Sequence, residues 1–81
     1  MLNLDEAERA ALTGTINSLK EDREFFEERF GKDNVWNTEE LTNLFAVHSF
    51  LAPFVIVTRK SDGKKGTVMF QHRPRFYFAF L

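Results

Sequence analysis

Residues 54–70 of this 81-residue chain read FVIVTRKSDGKKGTVMF, and they decide its fold. Two runs rich in valine, threonine and phenylalanine, which are favoured in strands, flank a polar segment that contains Asp62 and Gly63. An aspartate-glycine pair between two such runs is a strong signal for a hairpin turn. The stretch therefore predicts two antiparallel strands joined at Asp62 and Gly63.

A two-residue turn at this pair fixes the register of the predicted hairpin. Val57 then faces Val68, and Val55 faces Phe70, so four apolar side chains share one face of the sheet. An apolar sheet face needs a second layer packed against it. Helices in the N-terminal half of the chain can supply that layer.

The C-terminal segment RFYFAFL, residues 75–81, predicts a third strand that Pro74 separates from the hairpin. Alternate side chains of a strand point to opposite faces of the sheet. We expect one face of this strand to be in the core and the other to be open to water or to a partner. The expected core set is Phe76, Phe78 and Phe80, and the other set is Tyr77, Ala79 and Leu81.

The N-terminal part of the chain has the apolar spacing of a helix. Asn3 and Glu6 have the spacing of a capping box, and Gly31 is a natural helix end. The pattern favours one helix over residues 4–30, with a break near Gly14 as the open alternative, because glycine weakens a helix interior. The apolar stripe is formed by Leu12, Ile16, Leu19, Phe26 and Phe30.

A second, short helix is predicted to begin at Thr38 and to end near Ala46, since Glu39 and Glu40 suit the positive end of a helix. The order of elements is then α-α-β-β-β. We therefore predict a single α+β domain over residues 1–81, with a long and a short helix packed on a three-stranded antiparallel sheet.

Composition limits the classes of function. The chain has no cysteine and only two histidines, which excludes disulfides and leaves too few ligands for a structural zinc site. Its N-terminus is acidic, unlike a signal peptide, and no apolar run approaches the roughly 20 residues that span a bilayer. His48 and Ser49 are adjacent, but no motif assembles a nucleophile, a base and an orienting group. We expect a soluble cytoplasmic protein that is not an enzyme and needs no cofactor.

The net charge of −1 hides a strong asymmetry. Residues 1–42 carry eleven acids and five bases, a net charge of −6, whereas residues 43–81 carry six bases and one acid, a net charge of +5. This polarity is information about partners rather than about fold. In the simplest interpretation, Arg73 and Arg75 pair with glutamates of the long helix.

The main functional prediction is a protein-interaction module that forms a homo-oligomer, or that serves as a subunit or inhibitor in a larger assembly. Small domains are modestly stable, and self-association is a common remedy. The aromatic content of 15% is more than one small sheet needs. The residues predicted to form the self-association surface are Phe25, Phe26, Phe30, Tyr77 and Leu81.

The alternative prediction is an accessory protein that binds nucleic acid. Basic side chains neutralise phosphates, and neighbouring aromatic rings stack on bases. The sequence pI of about 6.1 argues against this class, because nucleic-acid-binding domains usually have a pI above ~9. The residues predicted to contact the anion are Arg59, Lys60, Lys64, Lys65, His72, Arg73 and Arg75.

Overall fold

A computed structural model describes residues 4–81 of the chain. The predicted α+β class with an antiparallel sheet is confirmed, but the described residues form three α-helices and five strands rather than two and three. The helices are α1 (Glu6–Leu19), α2 (Arg23–Phe30) and α3 (Thr38–Leu44), with a 3₁₀ turn at Lys32–Asn34; the strands are β1 (Val35–Trp36), β2 (Phe45–Leu51), β3 (Phe54–Arg59), β4 (Lys65–Gln71) and β5 (Phe76–Phe78).

The five strands form one antiparallel sheet in the order β1-β5-β4-β3-β2. Strands β2 to β5 follow one another as a meander, and β1 joins the far side of β5. The two edges of the sheet are therefore β1, which has two residues, and β2, which has seven.

The hairpin of β3 and β4 is confirmed, but its predicted register was wrong. Val57 faces Gly66 and Val55 faces Val68. The turn is longer than two residues, because the Arg59 N–H donates to the Lys64 carbonyl at 2.8 Å and closes a loop of four residues. The register differs from the prediction by two residues, so the three valines still share one buried face.

The single long helix over residues 4–30 was also wrong, and so was the position of its alternative break. The chain leaves the helix at Lys20, which adopts a left-handed conformation with φ 50°, and α2 restarts after the cap Asp22. Gly14 lies inside α1. The predicted cap Asn3 lies outside the described residues, and Asp5 caps α1 in a capping box with Glu8.

Helix α3 lies where the second helix was predicted, although its cap is Asn37 rather than Thr38. It ends at Leu44, and the next residue, Phe45, already belongs to β2. The predicted helix was expected to reach about Ala46 and to be followed by a connection, but residues 45–51 form β2, the longer of the two edge strands.

Apolar side chains pack on both faces of the sheet. Against one face, α1 and α2 bury a cluster that contains Ile16, Phe26, Val35 and Phe78. Against the other, α3 and nearby rings bury a second cluster of Trp36, Leu41, Phe45, Val55, Val57, Val68 and Tyr77.

The predicted shared face of Phe76, Phe78 and Phe80 was partly wrong. Phe76 and Phe78 pack on the side of α1 and α2, whereas Phe80 packs against the second cluster. The reason lies at Ala79, whose φ of 58° turns the chain after β5 and ends the strict alternation.

Candidate functional site

Apolar side chains are exposed along the edge strand β2 and at Leu44, the last residue of α3. Leu44, Val47, Phe50 and Leu51 are between 37% and 54% exposed, and we call this set the β2 edge patch. It contains four of the eight large apolar side chains that are exposed among residues 4–81. Val47 and Phe50 lie on the face of Val57 and Val55, whereas Leu51, which pairs with Phe54, lies on the opposite face. Exposed apolar residues that occur singly are normal, and larger exposed patches mark interaction surfaces.

The β2 edge patch lies in a part of the chain without charged side chains. Residues 41–58 contain no aspartate, glutamate, lysine or arginine, and His48 is their one titratable side chain. Natural sheets commonly protect an open edge with lysine, proline or a bulge. β2 has a register irregularity between Val47 and Ser49, but it has no charge to repel an approaching strand.

The backbone of β2 is also open on its outer side. An edge strand presents a row of N–H and C=O groups that its own sheet leaves unpaired. Within residues 4–81, β2 pairs with β3 alone, and the Phe45 N–H donates to the Leu41 carbonyl of α3. β2 is therefore a template to which a further strand can be added.

The opposite edge of the sheet is closed by comparison. Both residues of β1 are buried, and Arg23 Nη2 donates to the Val35 carbonyl at 2.9 Å. The same guanidinium pairs with Glu40 at 2.7 Å and with Glu27 at 3.0 Å. The hydrogen bond from Arg23 lowers the pKa of Glu40. This network covers the short edge and leaves β2 as the open edge of the described sheet.

His48 does not lie in a catalytic arrangement. Its Nε2 atom is 2.7 Å from Thr58 Oγ1 on the neighbouring strand, and its ring is exposed. No carboxylate of the described residues hydrogen-bonds the ring, as a general base and its orienting acid would require. The adjacent Ser49 pairs with Ile56 across the β2–β3 ladder.

The structure does not bring the five predicted self-association residues together. Phe26 is buried and stacks on Phe78 with a centroid distance of 4.5 Å. Tyr77 is buried in the cluster on the other face of the sheet. Phe30 remains partly exposed at the end of α2, and Leu81 is 82% exposed.

Phe25 is half-buried on α2, and the Arg29 guanidinium covers its ring at 3.7 Å. The aromatic excess that motivated the self-association prediction is therefore absorbed largely by the core. The exposed remainder is scattered over several sites rather than joined in one surface.

The predicted anion-binding residues fall into two separate groups. Arg59, Lys60, Lys64 and Lys65 lie at the hairpin tip, and His72, Arg73 and Arg75 lie beyond the opposite end of β4. A strand of seven residues such as β4 separates its ends by about 20 Å. No single phosphate can contact both groups.

Several of these basic side chains already have partners inside the chain. Arg59 forms two hydrogen bonds with Asp62, at 3.0 and 2.6 Å, and Lys60 Nζ donates to the Thr42 carbonyl at 3.0 Å. Arg75 lies over the Phe70 ring at 4.9 Å. The expected ion pairs between Arg73 or Arg75 and helix glutamates are absent from residues 4–81, where the pairs join Arg23 to Glu27 and Glu40, and Arg59 to Asp62.

The turn of the hairpin gives a prediction for a pH titration. Hydrogen bonds from the Arg59 guanidinium and then from the Lys64 N–H lower the pKa of Asp62 to about 2. Because this lies below the ordinary value of 3.8, the carboxylate stabilises the folded turn above pH 3.8, and this contribution is lost as the pH falls through about 2.

Carbon-detected NMR of the Asp62 carboxyl group should show a midpoint near pH 2. In Arg59→Gln the midpoint should rise toward 3.8. A midpoint that is the same in both proteins would show that Arg59 does not stabilise the charged carboxylate.

Two shallow depressions border α3 and β1. The first extends to the hairpin tip and has a volume of about 230 Å³, and the second extends to Arg23 of α2 and has a volume of about 310 Å³. Ligand pockets usually occupy about 300–1,000 Å³ and enclose most of their ligand. The first is lined by Arg59 and Lys60, and the second by Arg23 and Glu40, all of which have partners in the chain. These four side chains are thus already engaged within the chain.

Other site classes find little support in the described region. Residues 4–81 contain no group of three His, Asp or Glu side chains placed to hold a metal ion. In the same range, no helix has the length and apolar character required to cross a membrane.

The chain matches no protein-family model, no curated protein and no solved structure. Its function must therefore be argued from its own geometry.

Proposed function

We propose that this chain is a small, non-enzymatic protein-interaction module that binds an extended polypeptide segment along the edge of β2. One observation carries the proposal: a seven-residue edge strand with exposed apolar side chains lies in an 18-residue stretch, residues 41–58, that contains no charged residue. The shorter edge of the sheet has no comparable open length.

Binding of this kind adds a strand to the sheet. Main-chain hydrogen bonds supply affinity, and alternate side chains supply specificity. Val47 and Phe50 share the face of Val57 and Val55, their cross-strand partners, and Phe50 packs edge-on against Phe70 at 5.7 Å. A bound strand would therefore place its own apolar side chains beside Val47 and Phe50 and would cover them from water.

Nucleic-acid binding stays a prediction from the sequence and is the weaker proposal. The exposed Lys64 and Lys65 supply positive charge at the hairpin tip. Arg59 is neutralised by Asp62, and the second basic group lies at the other end of β4. Binding through the tip would weaken steeply with salt, whereas binding at an uncharged edge would not.

Capture with matched baits tests the proposed interface. The native chain, Phe50→Lys and Thr15→Lys would each be immobilised and exposed to lysate from the source cells. A lysine at position 50 would be buried without a partner when a strand is added. We therefore expect Phe50→Lys to bind the captured protein at least about tenfold more weakly than the native chain, a change of about 1.4 kcal/mol.

Thr15→Lys adds the same charge on the exposed side of α1 and should capture as the native chain does. Capture that is identical for all three baits would show that the β2 edge is not the interface.

A further inference from the structure

We infer that the segment bound at the edge of β2 is the β2 strand of a second copy of this chain, paired antiparallel across a twofold axis. The two five-stranded sheets would then form one continuous sheet of ten strands. This inference rests on the proposed function, because it names the partner of the same edge.

The chemistry of the edge matches its own copy. A strand added to β2 has to be extended and uncharged where it meets Val47, Phe50 and Leu51, since an unpaired charge buried there would be costly. Within residues 4–81, β2 is itself a seven-residue edge strand with this composition. A surface that is complementary to itself forms a closed twofold dimer, which is the commonest arrangement of soluble oligomers.

The distribution of charge favours pairing at β2 over pairing at the helices. Helix α1 packs on the central strand β4, and α3 packs on β2, whereas α2, with Glu24, Glu27 and Glu28, packs on β1 and β5 toward the far edge of the sheet. Pairing at β2 keeps α2 of the two copies at opposite ends of the dimer. Pairing through Phe25 and Phe30 of α2 would instead bring Glu24 and Glu28 of each copy toward the other copy.

The twofold geometry identifies the residue most sensitive to charge. Antiparallel strands related by a twofold axis keep the same face on the same side of a continuous sheet, so Val47 and Phe50 of both copies would lie on one side of it. His48 is the middle residue of Phe45–Leu51, which places the axis near the two His48 side chains. A permanent charge at this position would face its own copy, and like charges opposite one another destabilise a strand pair.

Sedimentation equilibrium of the native chain, His48→Lys and His48→Gln tests the inference. At low micromolar concentration we expect the native chain and His48→Gln to have twice the 9.5 kDa mass of one chain. His48→Lys should sediment as a monomer, with a dissociation constant raised at least about tenfold. Circular dichroism checks that each variant is folded. If His48→Lys does not fold, Phe50→Lys takes its place and should also sediment as a monomer.

Two outcomes would overturn the inference, and one further measurement would support it. A native chain that is monomeric at these concentrations would exclude a second copy as the partner, and the capture experiment would still decide whether another protein binds β2. A native dimer that persists in both His48→Lys and Phe50→Lys would place self-association on a different surface. Slower amide exchange of β2 in the native dimer than in His48→Lys would support the proposed pairing.

Discussion

Replacing Gln71 with leucine is expected to lower the free energy of unfolding by about 3 kcal/mol. Gln71 is fully buried at the end of β4. Its Oε1 accepts from the Glu21 N–H at 2.9 Å, and its Nε2 donates to the carbonyls of Glu21 and Pro74 at 2.8 and 2.7 Å. One amide thus joins the break between α1 and α2 to the turn that follows β4.

The expected effect is large because leucine removes three hydrogen bonds and cannot replace any of them. The backbone groups of Glu21 and Pro74 would lose their partners, and leaving a buried polar group unpaired costs about 1–3 kcal/mol. For a domain of this size, a loss of about 3 kcal/mol lowers the melting temperature by roughly 12–24 °C.

Thermal unfolding followed by circular dichroism measures the change in Gln71→Leu. Asn17→Ala is the matched control, since Asn17 Oδ1 also links α1 to the end of β4 but accepts a single, exposed bond from the His72 N–H at 3.0 Å. We expect the control to lose about 1 kcal/mol. A melting temperature for Gln71→Leu equal to or above that of Asn17→Ala would contradict the role assigned to the buried amide.

The contact of Gln71 also explains which parts of the fold the sequence can predict. The hairpin depends on local signals, namely two β-rich runs and an Asp62-Gly63 turn, so its presence was predictable. Its exact register was not, because the Arg59–Asp62 pair and the Lys64 carbonyl close a longer loop. An error of two residues keeps every side chain on its face, and the buried valines were therefore identified correctly.

The break in the N-terminal helix was not predictable from local pattern. Gly14 has the weaker helix propensity, but its penalty of about 1 kcal/mol is tolerated in an exposed turn of α1. The chain breaks at Lys20 instead, next to Glu21, which Gln71 holds from 50 residues away. A contact over this separation has no signature in either segment taken alone.

The strand β2, the proposed interaction edge, was missed for a different reason. The segment FAVHSFL, residues 45–51, follows directly from α3, so it was interpreted as the tail of a helix and a connection. Its aromatic and β-branched content, and the lack of charge from residue 41 to residue 58, are visible in the sequence. Phe26 was predicted from the apolar excess of the helix, and Tyr77 from its place on the open face of the last strand. The sheet is packed on both of its faces, and both rings are buried.

The second large effect is expected at Gly66, where no side chain can be accommodated. The segment after β5 pairs with β4 through two hydrogen bonds of 2.9 Å between the backbones of Thr67 and Leu81. A Cβ atom at Gly66 would lie 2.8 Å from Phe80 Cε1 and would overlap the carbonyl oxygen of Leu81. To relieve the overlap, the C-terminal segment would have to move away from β4.

We therefore expect Gly66→Ala to lower the free energy of unfolding by about 3 kcal/mol, the upper range for an overpacked site. Gly14→Ala makes the same chemical change where nothing lies within 4 Å of the new methyl group. It should raise the stability of α1 by about 1 kcal/mol. Melting curves of the two variants should thus shift in opposite directions, because one glycine makes room for a neighbouring backbone and the other only weakens a helix. A melting temperature of Gly66→Ala equal to or above that of the native protein would mean that the close approach of Leu81 to β4 does not constrain position 66.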